Sequence, residues 1–237
     1  MKSPMNCSIE RATRTLAQWG LGVGCLLVTA GTAAAAVLVE QLPSNAAAGY
    51  YSNVNQPQQW ADEFSLTAAA ALDGVSWWGG YDTANGGIED PGSDAFRVRV
   101  YSDIGGTGTV LHEFGSSSVI RTPTALVDAA GNSVYRYDLD LSAAPVGLPT
   151  GDLYLAIENL GASDWFWQAA GTGMSWYRGE DTDDWAAAPR DGDQLAFRLT
   201  TAAYQTVPEP GTAGLALLAV VAWARTRQRP RAVATCP

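Results

Sequence analysis

The chain has 237 residues, enough for one large domain or two small ones. It carries 14 basic and 24 acidic side chains, a formal net charge of −10 at pH 7. A chain with this excess of acid repels the phosphates of nucleic acids and anionic lipids, so we expect no nucleic-acid partner.

The first predicted element is a signal peptide over residues 1–36. A basic start is followed by the apolar segment Leu21–Thr29 and by small residues that end at Ala36. This order is typical of a cleaved export signal, so we predict that the mature protein begins at Val37. A retained membrane helix is the alternative, but the apolar segment is short for a bilayer. The basic residues of the start are Lys2, Arg11 and Arg14.

The mature part, residues 37–206, is more acidic than the whole chain. It contains seven arginines, no lysine and twenty-two carboxylates, which gives a net charge of −15. The cysteines Cys7, Cys25 and Cys236 all lie outside it, so we expect neither a disulfide nor thiol chemistry there. Its first stretch, residues 37–59, is polar and predicted to be irregular.

Residues 60–200 show a different pattern, in which apolar and polar side chains alternate in short runs between turns rich in Gly, Asp and Asn. This period of two is typical of antiparallel strands with one buried face. The region is therefore predicted to be an all-β, jelly-roll-like antiparallel β-sandwich. We expect Arg97 and Arg99 on the face opposite the core, which should contain Phe96, Val98, Val100, Leu153, Leu155, Ile157, Leu195, Phe197 and Leu199.

Two tryptophan-rich segments, 75–81 and 164–168, stand out within this domain. In a strand, Trp77 and Trp78 must point to opposite faces, and an outward indole can stack on a sugar ring. The alternative is that all these rings fill the core. The candidate ligand-binding residues, chosen because glycines beside them leave room for a ligand, are Trp78, Tyr81, Trp176 and Tyr177.

An acidic cluster follows at residues 180–184. Its carboxylates are hard oxygen ligands of the kind that calcium prefers, and no other cofactor is expected. The spacing is not that of an EF-hand loop, and solvated acidic turns are the alternative. The candidate calcium ligands are Glu180, Asp181, Asp183 and Asp184.

Few side chains suited to catalysis are present. His112 is the single histidine, which cannot build a multi-histidine zinc site, and the sequence contains no Gly-x-Ser-x-Gly elbow. A pair of carboxylates for glycoside hydrolysis stays open, because its spacing cannot be read from a sequence. We therefore expect a protein that is not an enzyme.

The end of the chain is a second targeting element, reached through a linker at residues 201–206. Pro208, Glu209 and Pro210 break regular structure and lead into the apolar run Ala213–Ala224. As a helix this run would reach about 18 Å, which makes a short membrane span. Glu209 is the single charged residue between position 207 and the end of this run. After the run come four arginines and then a tail over residues 232–237; the arginines are Arg225, Arg227, Arg229 and Arg231.

This order closely resembles the PEP-CTERM sorting signal of Gram-negative bacteria, over residues 207–231. The resemblance implies that an exosortase-type membrane peptidase recognises Pro208, Glu209 and Pro210. It further implies that the helix enters the inner membrane transiently and is then removed with the arginines. An ordinary membrane anchor is the alternative. More loosely, residues 60–200 look like the sandwich domain often found ahead of such a tail, a resemblance that implies no activity.

The leading hypothesis is thus an exported, non-enzymatic protein of the cell surface or extracellular matrix, with a structural or adhesive role. The resemblance implies an envelope rich in exopolysaccharide, which is a candidate partner. A lectin-like carbohydrate-binding module using exposed aromatics is the first alternative. An extracellular glycoside-active enzyme is the second.

Overall fold

The computed structural model describes residues 35–83, 94–116, 119–188 and 193–202. The predicted sorting signal, the tail and all but the last two residues of the predicted signal peptide lie outside these ranges. None of the described residues is helical, so no membrane-spanning helix occurs among them. They form sixteen strands: β1 (Ala36–Gln41), β2 (Gly49–Tyr51), β3 (Gln59–Leu66), β4 (Ala70–Leu72), β5 (Gly74–Tyr81), β6 (Phe96–Asp103), β7 (Thr109–Ser116), β8 (Ile120–Val127), β9 (Ser133–Asp140), β10 (Val146–Leu148), β11 (Gly151–Asn159), β12 (Trp165–Gly171), β13 (Ser175–Arg178), β14 (Ala186–Ala187), β15 (Gln194–Leu195) and β16 (Phe197–Thr201).

These strands are arranged in two large sheets and one small one. The eight-stranded sheet has the order β1-β16-β5-β12-β15, with β2 also paired to β12, and with β9 and then β8 continuing from β5. The six-stranded sheet has the order β14-β13-β3-β11-β6-β7, while β4 and β10 form a separate two-stranded ladder. All pairings between these strands are antiparallel, which confirms the predicted all-β, antiparallel class.

The main hydrophobic cluster draws side chains from both large sheets. Aromatic rings fill its centre: Trp77 and Tyr137 stack at 5.7 Å, and Phe96 meets Trp77 and Trp165 edge-on at 5.2 and 5.1 Å. Large rings therefore provide much of the buried apolar area in a domain without cysteine. The predicted core is confirmed, since each of its members is at most 2 % exposed: Phe96, Val98, Val100, Leu153, Leu155, Ile157, Leu195, Phe197 and Leu199.

Both large sheets also bury side chains on their outer faces. One outer cluster gathers around Tyr101 and Trp185 on the six-stranded sheet, and another around Trp78 and Phe166 on the eight-stranded sheet. Arg99 lies outside the hydrophobic clusters, as expected, yet it is only 8 % exposed. Alternation thus predicts which face a side chain occupies, but not whether that face is open to water.

Residues 37–59 differ from the predicted irregular segment, because they contain β1 and β2. Strand β1 pairs with β16 at the other end of the domain, and β2 pairs with β12. Such strands are stabilised by partners more than a hundred residues away, and a local sequence pattern carries little information about that pairing.

Candidate ligand-binding surface

The adjacent rings of Trp77 and Trp78 lie on opposite faces of the eight-stranded sheet, as alternation predicts. Trp77 is in the shared core, and Trp78 packs with Val134 and Phe166 in the outer cluster. Trp78 is only 6 % exposed, with the guanidinium of Arg198 5.9 Å from its ring. The expectation that this indole is open to a ligand is therefore wrong, because the outer face of the sheet is itself covered.

Tyr81 is buried as well. Its hydroxyl donates a hydrogen bond to Asp94 Oδ1 at 2.6 Å, and burial raises the pKa of the phenol well above its ordinary value. The sequence suggests that Gly79 and Gly80 leave room for a ligand, but that room is filled. A Cβ on Gly79 would collide with the carbonyl oxygen of Phe166. Tyr81 thus has no ring face that a ligand can reach.

Trp176 and Tyr177 are partly exposed and lie on opposite faces of β13. Trp176 packs edge-on against Tyr154 at 6.2 Å, on the outer side of the six-stranded sheet. Tyr177 instead contacts Trp60 at 5.7 Å between ring centroids, and Trp60 in turn contacts Tyr50 at 4.5 Å. Tyr177 thus lies at one end of a series of three rings whose middle member, Trp60, belongs to the core.

A groove of about 560 Å³ opens beside Tyr177. We call it the Tyr177 groove. Its walls come from the chain just before β3 and from the end of β13, two segments that lie about 120 residues apart in sequence. The lining residues are Asn55, Gln56, Pro57, Gln58, Tyr177, Arg178 and Gly179.

A second cleft of about 420 Å³ shares Pro57 and Gly179 with the Tyr177 groove. We call it the Glu158 cleft. It extends over the outer face of the six-stranded sheet and is lined by charged groups and an amide as well as by these shared residues. The additional lining residues are Val54, Gln59, Arg97, Glu158, Glu180 and Asp181.

Two of the acidic residues predicted to bind calcium, Asp181 and Asp183, have hydrogen-bond partners of their own. Both oxygens of Asp181 accept hydrogen bonds from Arg99, at 2.6 and 2.9 Å. Asp183 instead accepts a hydrogen bond from the backbone N–H of Glu180 at 2.8 Å, which closes the turn. Within the described ranges, no three His, Cys, Asp or Glu side chains are grouped as metal ligands would be, and Glu180, Asp181, Asp183 and Asp184 are not brought together.

Three arginines surround the Asp181 carboxylate. Arg97, Arg99 and Arg178 approach it to 3.1, 2.6 and 2.8 Å, and hydrogen bonding by Arg99 is the main reason that the pKa of Asp181 lies well below its usual range. Arg97 also binds Glu158, whose pKa is raised by burial, although the arginine opposes that rise. The cleft thus has its positive charges matched by carboxylates.

Arg178 fixes the turn that follows β13. Its guanidinium lies 4.4 Å from the ring of Trp185 and donates to Gln59 Oε1 at 2.8 and 2.9 Å and to the Thr107 carbonyl oxygen at 2.9 Å. The backbone N–H of Trp185 donates to the Gly106 carbonyl oxygen at 2.8 Å. One buried arginine therefore joins β3, the turn after β6 and the acidic turn into one structure.

Asp62 is a buried carboxylate that the sequence analysis does not single out. It lies on β3 with no exposed surface, and its Oδ2 accepts a hydrogen bond from the backbone N–H of Leu195 on β15. Its Oδ1 has no hydrogen-bond partner among the described residues. Burial raises the pKa of Asp62 from 3.8 to about 7. This carboxyl therefore links the two large sheets at a cost in free energy when it ionises.

The groove residues near position 56 are a second feature that the sequence analysis misses. They fall in a segment predicted to be irregular, and nothing in their order indicates that they face Tyr177. The local pattern that could have indicated these groove residues is the run Asn55-Gln56-Pro57-Gln58, in which three amides surround a proline next to a strand.

No protein-family model matches this sequence, and the search of curated proteins finds no match either.

Proposed function

We propose that this chain is an exported, non-enzymatic protein of the cell surface or extracellular matrix, with a structural or adhesive role. The observation that carries the proposal is the tail, in which Pro208, Glu209 and Pro210 precede a short apolar run and an arginine cluster. An exosortase-type peptidase of the inner membrane would recognise this motif and remove the helix with the arginines. The last described strand ends at Thr201, so the motif follows the domain after a short linker.

We interpret the two large sheets as a jelly-roll-like β-sandwich, because they share one hydrophobic cluster and the chain passes repeatedly between them. Strands β6 and β7 belong to one sheet, β8 and β9 to the other, and β11, β12 and β13 alternate between the two. A domain of this kind, stabilised by aromatic packing without disulfides, suits a structural role outside the membrane.

The non-enzymatic part of the proposal is supported by how the polar groups of the Glu158 cleft are used. Arg97 binds both Glu158 and Asp181, two of the three carboxylates that line the cleft and could take part in a hydrolytic pair. His112 donates a hydrogen bond to the Gly147 carbonyl oxygen at 2.8 Å and does not line this cleft. These contacts favour a static arrangement of ion pairs over a proton-transfer site.

Export and sorting are tested by fractionating cells of an exosortase-containing host and measuring the intact mass of the extracellular protein. We expect a product that begins at Val37 and lacks Arg225–Arg231. Replacing Pro208, Glu209 and Pro210 with alanine should leave the uncleaved chain in the inner membrane. An extracellular protein that keeps its arginines would overturn the sorting proposal.

The enzymatic alternative is tested separately by measuring reducing ends after incubation with neutral and acidic polysaccharides. We expect no release above the buffer control. Release that disappears in the variant Glu158→Gln, with the melting temperature unchanged, would instead identify a glycoside hydrolase.

A further inference from the structure

The Tyr177 groove combines an aromatic face with neutral hydrogen-bonding groups. From this combination we propose that it binds a neutral polysaccharide, a chain of uncharged pyranose sugars with free hydroxyl groups. The inference rests on the proposed adhesive role and names the class of ligand for it.

The aromatic part of the groove is held in place before any ligand arrives. Tyr177 is backed by Trp60, which is 5 % exposed and packs on Tyr50. The exposed ring of Pro57 provides a second rigid apolar surface nearby. The C–H face of a pyranose ring can pack on such surfaces, and little side-chain entropy is lost because the rings are already fixed.

The polar part consists of amides with free oxygens. Asn55 donates through Nδ2 to the Gly161 carbonyl oxygen at 2.7 Å, and Gln56 donates through Nε2 to Asp164 Oδ2 at 2.9 Å. Their side-chain oxygens accept no hydrogen bond from the described residues, and so they remain acceptors for sugar hydroxyls. Gln58, whose side chain makes no hydrogen bond within the described ranges, can both donate and accept.

The segment that carries these amides is anchored by a buried residue. Asn53 has no exposed surface, and its side chain donates to the Trp165 carbonyl oxygen at 2.9 Å and accepts from the Trp165 N–H at 2.8 Å. Its backbone N–H donates to the Gln58 carbonyl oxygen at 2.9 Å. This anchoring gives the amides one arrangement, which favours binding because less order has to be imposed on complex formation.

The neighbouring Glu158 cleft gives the groove the length that a polymer needs. The two share Pro57 and Gly179, so a chain that leaves Tyr177 reaches Glu158 across them. Both hydrogen bonds from Arg97 go to Glu158 Oε2, and Oε1 accepts none from the described part of the chain. A carboxylate oxygen of this kind is a strong acceptor for a sugar hydroxyl.

The charge balance decides between a neutral and an acidic polymer. The arginines of the cleft, Arg97, Arg99 and Arg178, are matched by the carboxylates Glu158, Asp181 and Glu113. No positive charge is therefore left over in this group for an anionic sugar, and residues 37–206 together carry a net charge of −15. A polyuronate or a sulfated polymer would be repelled, whereas a neutral one is not.

The test is native affinity electrophoresis of the full chain, solubilised in a zwitterionic detergent because sugar-based detergents would compete. The gels contain dextran, laminarin, hydroxyethylcellulose or galactomannan as neutral probes, and polygalacturonate as the acidic probe. We expect retardation by at least one neutral polymer and none by polygalacturonate. Tyr177→Ala should weaken the retardation about five- to tenfold, since one aromatic contact is lost.

Two further substitutions keep the proposal testable if Tyr177→Ala fails to fold. Gln58→Ala changes an amide that contributes no hydrogen bond to the described fold, and Tyr177→Phe keeps the ring. We expect weaker binding from the first, near-normal binding from the second and unchanged melting temperatures from both. The matched control is Tyr154→Ala, which removes another partly exposed tyrosine that lines neither cleft.

Retardation by none of the neutral polymers would overturn the proposal, and so would retardation by polygalacturonate alone or equal weakening by Tyr154→Ala. These outcomes are distinct from failure of the sorting proposal. A protein that is exported and processed but not retarded contradicts the groove alone. A protein that is retarded but keeps its arginine tail contradicts the sorting alone.

Discussion

The Asp62 carboxyl should make the stability of this domain depend on pH in an unusual direction. Most carboxylates stabilise a fold when ionised, but Asp62 has no exposed surface and is surrounded by core residues of β3 and its neighbours. Its pKa is raised from 3.8 to about 7 in the folded state. At a pH between 3.8 and about 7, Asp62 is ionised in the unfolded chain and protonated in the folded chain.

The sign and size of the effect follow from this difference. Because the unfolded state binds fewer protons over that range, the free energy of unfolding falls as pH rises from about 4 to about 7. A shift from 3.8 to about 7 corresponds to about 4 kcal/mol at 1.36 kcal/mol per pKa unit. The stability that the neutral Asp62 carboxyl gives to the folded state is fully present below about pH 4 and lost above about pH 7.

The variant Asp62→Asn tests this directly, because an amide keeps the acceptor for the Leu195 N–H and cannot ionise. Urea unfolding should show Asp62→Asn close to the wild type at pH 4 and more stable by up to about 4 kcal/mol at pH 8. The matched control is Asp184→Asn, which changes an exposed aspartate whose side chain makes no hydrogen bond with the described residues. A stability difference that does not change with pH would refute the reasoning, since other carboxylates cancel in the comparison.

Three further predictions concern the covered faces and the acidic turn. Trp78→Ala should lower the free energy of unfolding by about 3–5 kcal/mol in chemical denaturation, because this ring is buried in the outer cluster; a change below 1 kcal/mol would mean that it is exposed. Arg178→Met should lower the free energy of unfolding by about 1–2 kcal/mol, because hydrogen bonds to Gln59 and Asp181 are lost. It should also speed proteolysis within residues 179–185, and unchanged proteolysis would contradict the role of Arg178 in fixing the turn. Millimolar calcium and a chelator should give the same melting temperature, because Asp181 is bound by arginines; a rise with calcium alone would support the predicted calcium site.

Much of the core could be predicted from the sequence because strand alternation is a local property. Val98 and Leu155 are assigned to the buried face by their neighbours alone, without knowledge of which strand pairs with which. The same rule places Trp77 and Trp78 on opposite faces. It fails for the exposure of Trp78, because what covers an outer face is decided by distant residues such as Val134.

The binding surface could be predicted only in part for the same reason. Tyr177 is a candidate from its residue type, and it does line a groove. Its partners Asn55 and Gln56 lie about 120 residues earlier and meet it only because β3 pairs with β13. The long-range register that brings these residues together has no counterpart in a local pattern.

The Tyr177 groove and Thr201 lie near opposite ends of β3. Strand β3 begins at Gln59, which lines the Glu158 cleft, and ends at Leu66, which lines a different cleft together with Val37 and Thr201. Eight residues of extended strand span roughly 23 Å at about 3.3 Å per residue. The first and last strands therefore meet at one end of β3, and the proposed sugar-binding groove opens at the other. If the chain is attached to a membrane or a matrix beyond Thr201, as the sorting proposal implies, the groove opens at the end of β3 away from Thr201. Repeated copies on one surface could then together bind a polymer that each copy holds only weakly.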